Sequence, residues 1–235
     1  MKIEWNDVAD ERKSFVAYDG SFSAIIYPRA SGWSHKYKIG AGCWIHGVIY
    51  DREKEALDAA KQAIKVYLRN CWATPDNFWK VIKDIWKPTI DVSATKTNAK
   101  CQSFICPEAN GLEQDWSCIN GRHMAWCNPP FSNAPEWLEK AHAEMLKGVA
   151  SLVLSHEATS AAWAYEWIQK ASAVWMLTPR IPFMAPPGIA QTSNPRGSML
   201  LVFDPCITRP PGTPTPIYHF DWKRYLAELD AKEGK

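Results

Sequence analysis

Two hydrophobic rhythms divide this chain, with the change near residue 72. Before it, Ser21–Tyr27 and Tyr37–Tyr50 mix β-branched, aromatic and polar residues in the manner of strands, with turn signals at Asp19-Gly20 and Ala30-Ser31-Gly32. Gly40-Ala41-Gly42 is followed by no helical pattern, so it reads as a kink or bulge in a hairpin rather than a nucleotide loop. Leu57, Ala60, Ile64, Tyr67 and Leu68 then recur at helical spacing, with Glu53 and Glu55 in the favourable first turn. Residues 1–72 are therefore expected to form a small α+β unit, a β-hairpin plus a helix.

From residue 73 to 235 helix and strand patterns alternate. Thr74-Pro75-Asp76 has the form of a helix start, with a hydroxyl N-cap, a proline at the first helical position and then an acid. Phe78, Val81, Ile82 and Ile85 make its apolar face, and Pro88 ends it. Strands are expected at Thr89–Val92, Gln102–Cys106, Met124–Cys127, Val149–Leu154, Ala173–Leu177 and Ser198–Phe203. Asn110-Gly111 reads as a turn. Helices are expected after residue 131, burying Trp137, Leu138, Ala141 and Met145, then at about 157–170 and over Asp221–Glu233. Such alternation predicts an α/β domain with a mostly parallel sheet and helices on both faces. The proline-rich stretch 178–197 reads as a flexible lid or a substrate loop, and 205–217, with five prolines, as a surface linker.

Composition narrows the function classes. Residues 1–72 carry 11 Lys/Arg against 9 Asp/Glu, and residues 73–235 carry 16 of each, which together give the net charge of +2. That is not the footprint of a protein held to nucleic acid by charge alone, and it fits an enzyme that visits a polyanion and leaves. The start shows no signal peptide, and no apolar run approaches a membrane span, so a cytoplasmic place in a bacterium or phage-infected host is expected. Seven cysteines, an odd number, do not suggest a disulfide framework. Cys101, Cys106, Cys118 and Cys127 contain no C-x-x-C pair and read as buried small hydrophobes, so no metal is expected.

The most specific chemistry is Asn128-Pro129-Pro130-Phe131, just past the strand Met124–Cys127. Two prolines fix their φ, lack N–H groups and push the residue before them into an extended conformation, so the tetrapeptide is a stiff turn. It presents a carboxamide, backbone carbonyls and one aromatic face. The Asn128 oxygen and the Pro129 carbonyl can each accept from an –NH2 on a planar ring, and Phe131 can stack on that ring. In an open α/β sheet ligands bind beyond the carboxyl ends of strands. Asp91 ends one predicted strand and Asn128 follows another, so Asp91 and the small Ala94 are candidates to hold a cofactor, or else Asp91 caps a turn.

Several short blocks resemble, in order, the phage-type DNA N6-adenine methyltransferase (Dam) family: Thr74-Pro75-Asp76, Ile90-Asp91-Val92-Ser93-Ala94, Asn98-Ala99-Lys100-Cys101, Asn110-Gly111-Leu112, Trp116, and Trp126 to Phe131. Arg180-Ile181-Pro182-Phe183 and the Pro-Arg-Gly before Ser198 fit as well. The resemblance covers roughly residues 72–205 and leaves the first seventy aside. It implies a Rossmann-like S-adenosylmethionine-dependent methyltransferase sheet and N6-methyladenine in double-stranded DNA as product. It implies Asn128, Pro129, Pro130 and Phe131 as the catalytic motif, and Thr74, Pro75, Asp91, Ala94, Asn98, Asp115 and Asn128 near S-adenosylmethionine. No Gly-rich loop of the usual methyltransferase type is present, and Asp91-Val92-Ser93-Ala94 must replace it; the aromatic is Phe where Tyr is common. A monomer or weak dimer is expected.

The target adenine would be flipped from the duplex, and DNA contacts are expected from Arg29, Trp33, Lys36 and Lys38 in the first hairpin and from Arg180 and Arg196. Arg29, Trp33, His35, Lys36, Tyr37 and Lys38 interleave basic and aromatic residues, as in a backbone clamp or a target-recognition element, or equally in an ordinary solvated turn. Rival readings keep the turn but change the amine, to cytosine N4, RNA adenine or a protein glutamine, or keep the fold as a catalytically silent DNA-binding protein.

Overall fold

The computed structural model describes residues 6–8, 12–16, 22–39, 45–69, 71–107, 109–117, 124–185, 190–210 and 212–234. The chain forms two compact units, residues 1–72 with 185–191, and residues 73–184 with 192–235.

The first unit is an antiparallel five-stranded sheet in chain order: β1 (Asn6–Val8), β2 (Arg12–Val16), β3 (Phe22–Arg29), β4 (Gly32–Ile39) and β5 (Ile45–Tyr50). Helix α1 (Glu53–Arg69) follows. The Ala30-Ser31 turn joins β3 to β4 as expected, and Gly32 (φ 136°) is required there, because a Cβ would meet the Tyr50 carbonyl oxygen. Ala56 and Ala60 of α1 pack on Ile26, with Trp33, Tyr50 and Leu57 around them. Strands β1 and β2 are additional to the hairpin the sequence predicts. The Asp19-Gly20 and Gly40–Gly42 features lie outside the described residues.

The second unit is a seven-stranded mixed sheet in the order β12-β10-β11-β9-β8-β6-β7. Its strands are β6 (Ile90–Asp91), β7 (Ser103–Phe104), β8 (Met124–Cys127), β9 (Ala150–His156), β10 (Ala173–Thr178), β11 (Ser198–Phe203) and β12 (Ile217–Asp221). Strands β7, β6, β8 and β9 are mutually parallel, and β11 runs antiparallel between β9 and β10. Side-chain alternation commits both faces. Ala125 and Cys127 join Val153 and Leu201 in a core completed by Trp137, Leu138 and Ala141 of α3 (Ala134–Leu146) and by Ala164, Trp167 and Ile168 of α4 (Ala162–Lys170). Trp126 points the other way and meets Trp79 of α2 (Asp76–Trp86) edge-on at 5.5 Å. Helix α5 (Trp222–Glu233) packs on α2 through Trp222 against Phe78, and Tyr225 Oη donates to Asp84 at 2.7 Å.

Four differences from the expectations have physical causes. The proline-rich 205–217 stretch leads into β12, which pairs in parallel with β10; its half-exposed edge position explains why no strong apolar pattern announced it. Helix α4 begins five residues after the expected start, since the Glu157 amide instead bonds the Gly197 carbonyl at 2.9 Å. Stretch 178–197 is pinned at its start rather than loose: Ile181 and Phe183 are buried, and Met184 bridges to Ala73. Thr74 does not cap α2. Pro75 occupies the N-cap, with the Trp79 amide bonding its carbonyl at 2.8 Å, and the Thr74 hydroxyl is used elsewhere.

Candidate functional site

The carboxyl ends of β6, β8 and β9 lie at one edge of the second sheet, because these strands are parallel neighbours with Asp91 opposite Trp126 and Cys127 opposite Val153. β8 delivers Asn128 to that edge. The Asn128 Nδ2 donates to Thr74 Oγ1 at 3.2 Å. Pro129 is buried and Pro130 half-buried, and the Pro130 carbonyl accepts from the Asn133 amide at 3.0 Å as the chain enters a short 3-10 turn and then α3. Phe131 stays half-exposed. Its ring lies 5.7 Å from His156 and 5.7 Å, edge-on, from Phe183.

Asp91 is 3 % exposed. Its Oδ1 accepts from the Ser93 amide at 3.3 Å and its Oδ2 from the Lys100 amide at 3.0 Å. Burial pushes this carboxyl up to about 6; the two amides oppose the rise without cancelling it. The carboxylate thus shapes the loop that follows it, which is the turn-capping alternative the sequence leaves open. That loop places Ala94, itself buried, against the Ile105 carbonyl, and ties Asn98 Oδ1 to the Thr95 amide at 2.6 Å. Lys100 reaches back to Asp76 at the start of α2 at 2.5 Å.

Asp115 is exposed and accepts from the Ser117 amide at 2.7 Å, which holds its carboxyl below the usual range. Next to it Trp116 is fully buried, donates Nε1 to the Gly111 carbonyl at 2.8 Å and stacks on Trp137. Gly111 passes so close to β6 that a Cβ would clash with the Val92 carbonyl oxygen. Arg180 and Arg196 are exposed, and Arg196 approaches the edge two residues before Ser198, the β11 partner of His156. Of the hairpin residues in the first unit, Arg29 is exposed and Lys36 half-exposed, whereas Trp33 packs on the α1 side as core.

Direct contacts therefore join Asn128 to Thr74 and Phe131 to Phe183, with Asp91, Ala94 and Asn98 in the loop after β6. Sequence reasoning missed His156. It ends β9, touches Phe131 and Trp163, and is kept neutral by burial and then by the Arg196 charge. The rule that ligands gather beyond strand carboxyl ends marks this position once Val149–Leu154 is read as a strand. Glu144 was missed as well, because a carboxylate on the buried stripe of α3 contradicts a purely apolar helix face. Among the described residues no three His, Cys, Asp or Glu side chains converge to hold a metal ion; the Cys101 thiol donates to the Pro88 carbonyl at 3.6 Å, Cys127 is buried, and Cys118 lies outside the described residues. No described helix is long and apolar enough to cross a membrane.

Compared with known families, residues 61–221, more than half of the chain, match DNA N-6-adenine-methyltransferase (Dam). A DNA N-6-adenine-methyltransferase of Escherichia phage T1 is 28 % identical over 108 residues, which make up 46 % of this chain and 44 % of that protein. The match thus spans less than half the length of that relative.

Proposed function

This chain belongs to the DNA N-6-adenine-methyltransferase (Dam) family, and from that premise we propose that it moves a methyl group from S-adenosylmethionine to N6 of an adenine flipped out of double-stranded DNA. The observation that carries this reading is the Asn128–Thr74 hydrogen bond, 3.2 Å long, at the carboxyl end of β8 beside the end of β6. With Nδ2 on Thr74, the Asn128 oxygen would accept one N6 hydrogen and the Pro129 carbonyl the other. Holding both hydrogens pulls the nitrogen toward tetrahedral geometry and aims its lone pair, which is catalysis by positioning.

S-adenosylmethionine, when bound, supplies a methyl carbon already activated by a sulfonium. The N6 lone pair, aimed by Asn128 and the Pro129 carbonyl, would take that methyl from the sulfonium sulfur, which would keep the C–S electron pair, and the surplus N6 proton would pass to water. Phe131, half-exposed among His156 and Phe183, stacks on the extruded base, and such stacking returns about 1–3 kcal/mol toward a flipping cost of a few. Neutral His156 adds no cation next to a cationic donor.

The residues around Asp91 fit a cationic methyl donor. A buried carboxyl held near 6 gains from a positive group nearby, and the sulfonium is one. Asp91, Ala94, Asn98 and the Thr74-Pro75 corner would hold the donor, with Asp115 offering an exposed carboxylate. On this reading the mixed sheet is a Rossmann-like methyltransferase sheet. Arg180 and Arg196, exposed at either end of the segment carrying Phe183, would meet phosphates beside the flipped base.

The test is incubation with labelled S-adenosylmethionine and unmethylated duplex DNA, then digestion to nucleosides. Label in N6-methyldeoxyadenosine supports the reading. Label in N4-methylcytosine, label only with RNA as substrate, or no transfer overturns it.

A further inference from the structure

β9 ends on an imidazole whose two nitrogens no step of methyl transfer uses. This strand is the parallel neighbour of β8, with Val153 opposite Cys127, so the chain entering Asn128 and the chain reaching His156 leave the sheet side by side. The His156 backbone is fixed on its other flank by β11, where it lies opposite Ser198. One residue on, the Glu157 amide donates to the Gly197 carbonyl at 2.9 Å. The approach there is close enough that a Cβ on Gly197 would meet Glu157 Oε2.

Ring contacts hold the side chain. The imidazole centre lies 5.7 Å from Phe131 at a tilt of 53°, and 5.4 Å from Trp163 of α4 at 57°. A tilt of this size sets the imidazole beside the Phe131 ring rather than stacked on it, and Phe131 stays half-exposed. Among the described residues neither Nδ1 nor Nε2 of His156 has a hydrogen-bond partner. Burial first and the Arg196 charge second keep the ring neutral. A neutral imidazole carries one N–H donor and one bare nitrogen. Being half-buried, those nitrogens bond to water in the absence of a ligand and exchange it for a ligand atom.

We propose that His156 reads the flipped adenine, its ring N–H donating to one of the two ring nitrogens that flank the N6 amine, N1 or N7. The inference rests on the methyl-transfer reading and adds to it the donor it lacks. On that reading the Asn128 oxygen and the Pro129 carbonyl engage the N6 hydrogens, which leaves N1 and N7, both acceptors, without partners. An acceptor left unpaired beside aromatic rings costs free energy, and enzymes that extrude a base read its edge by hydrogen bonds. Of the two rings touching Phe131, Phe183 has no side-chain donor and His156 has one. A neutral imidazole supplies that hydrogen without setting a second positive charge near the sulfonium. Fixed by two strands and two rings, it would meet the base with little ordering left to do.

The experiment measures kcat/KM for methyl transfer to duplexes carrying adenine, 1-deazaadenine or 7-deazaadenine at the position the parent chain methylates. The parent chain is expected to lose about tenfold on one of the two analogues, the cost of one hydrogen bond. His156→Phe and His156→Leu lack the N–H and are expected to treat that analogue and adenine alike within about twofold. Changes that the missing nitrogen makes to the amine or to base pairing are common to all three chains and cancel in the comparison. The two variants fill the space differently, so a folding failure in one leaves the other as the test. Equal discrimination in the parent chain and in a variant that melts like it, large or small, would overturn the proposal. A parent chain that transfers nothing to adenine would instead bring down the methyl-transfer reading, and this inference with it.

Discussion

Two buried carboxylates in the second unit meet opposite fates. Glu144, fully buried on α3, accepts from Lys140 at 2.7 Å and Lys147 at 2.8 Å through one oxygen, and from the Trp116 amide at 3.3 Å through the other. Burial pushes it up, but the lysines and the amide outweigh burial and hold it below the ordinary range. Asp91 has two backbone amides as hydrogen-bond donors, and it rises to about 6. A charge with two ammonium partners is a structural pin, here fastening the 111–117 loop to α3. A charge buried with two amide hydrogen bonds and no ion pair of its own in hydrogen-bond contact, Lys100 acting only through its charge, is costly to the fold. It lies at the carboxyl ends of parallel strands, the position at which open α/β sheets commonly bind ligands, and the proposed function gives that cost a use.

The largest expected effect tests whether chemistry sits at that edge at all. Asn128→Ala is expected to lower methyl transfer on the order of a hundredfold, by loss of one preorganised polar partner, while thermal melting moves little. A rate near that of the parent chain would end the positioning mechanism. At the pin the pattern reverses. Glu144→Ala is expected to cost about 2 kcal/mol of stability by urea unfolding, because Lys140 and the Trp116 amide lose their buried partner, and to leave the transfer rate of the folded protein unchanged. A Glu144 variant that folds normally yet fails in catalysis would dissolve the distinction between the two sites.

How far the sequence foresaw this distinction depends on the kind of signal. Asn128–Phe131 was legible because two prolines leave few backbone options, and α2 because its apolar stripe and Pro88 are local. The order of strands was not legible: β11 enters antiparallel between β9 and β10, and only pairing partners distant in sequence decide that. Thr74 looks like a cap by local rule, but Asn128, 54 positions away, takes its hydroxyl. Asp91 was visible as a strand end. Its partners were not, since Lys100 reaches it through the fold of a loop without periodicity.

The acid response separates the carboxylates further. Glu144, with its folded value depressed, contributes stability above its ordinary value of 4.5 that is lost as pH falls through the lower folded value. Asp91, raised from 3.8 to about 6, acts in the opposite sense: its favourable protonated state is full below 3.8 and lost as pH rises through 6, at a cost of about 3 kcal/mol. The same sign governs the donor. If the donor is held as proposed, ionised Asp91 would attract the sulfonium and protonated Asp91 would not, so affinity for S-adenosylmethionine measured by calorimetry should weaken toward tenfold per pH unit below 6. Asp91→Asn should bind more weakly above pH 6 and show no such step. A step of equal size in Asp91→Asn would assign the titration to another group.

The smallest effect expected at the edge belongs to Phe131→Tyr. The ring touches His156 and Phe183 at 5.7 Å each and remains half-exposed, so a para-hydroxyl has water or the rim of the site to face. Stacking depends on the ring and not on the hydroxyl, which predicts kcat and KM for DNA within about threefold of the parent chain. Phe131→Ala removes the ring, and base stacking of about 1–3 kcal/mol should then appear chiefly as a higher KM for DNA. If Tyr were as damaging as Ala, the ring would be wedged in packing against His156 and Phe183 rather than offered to a base. The edge would then resemble the Glu144 pin, a place where contacts serve the fold alone.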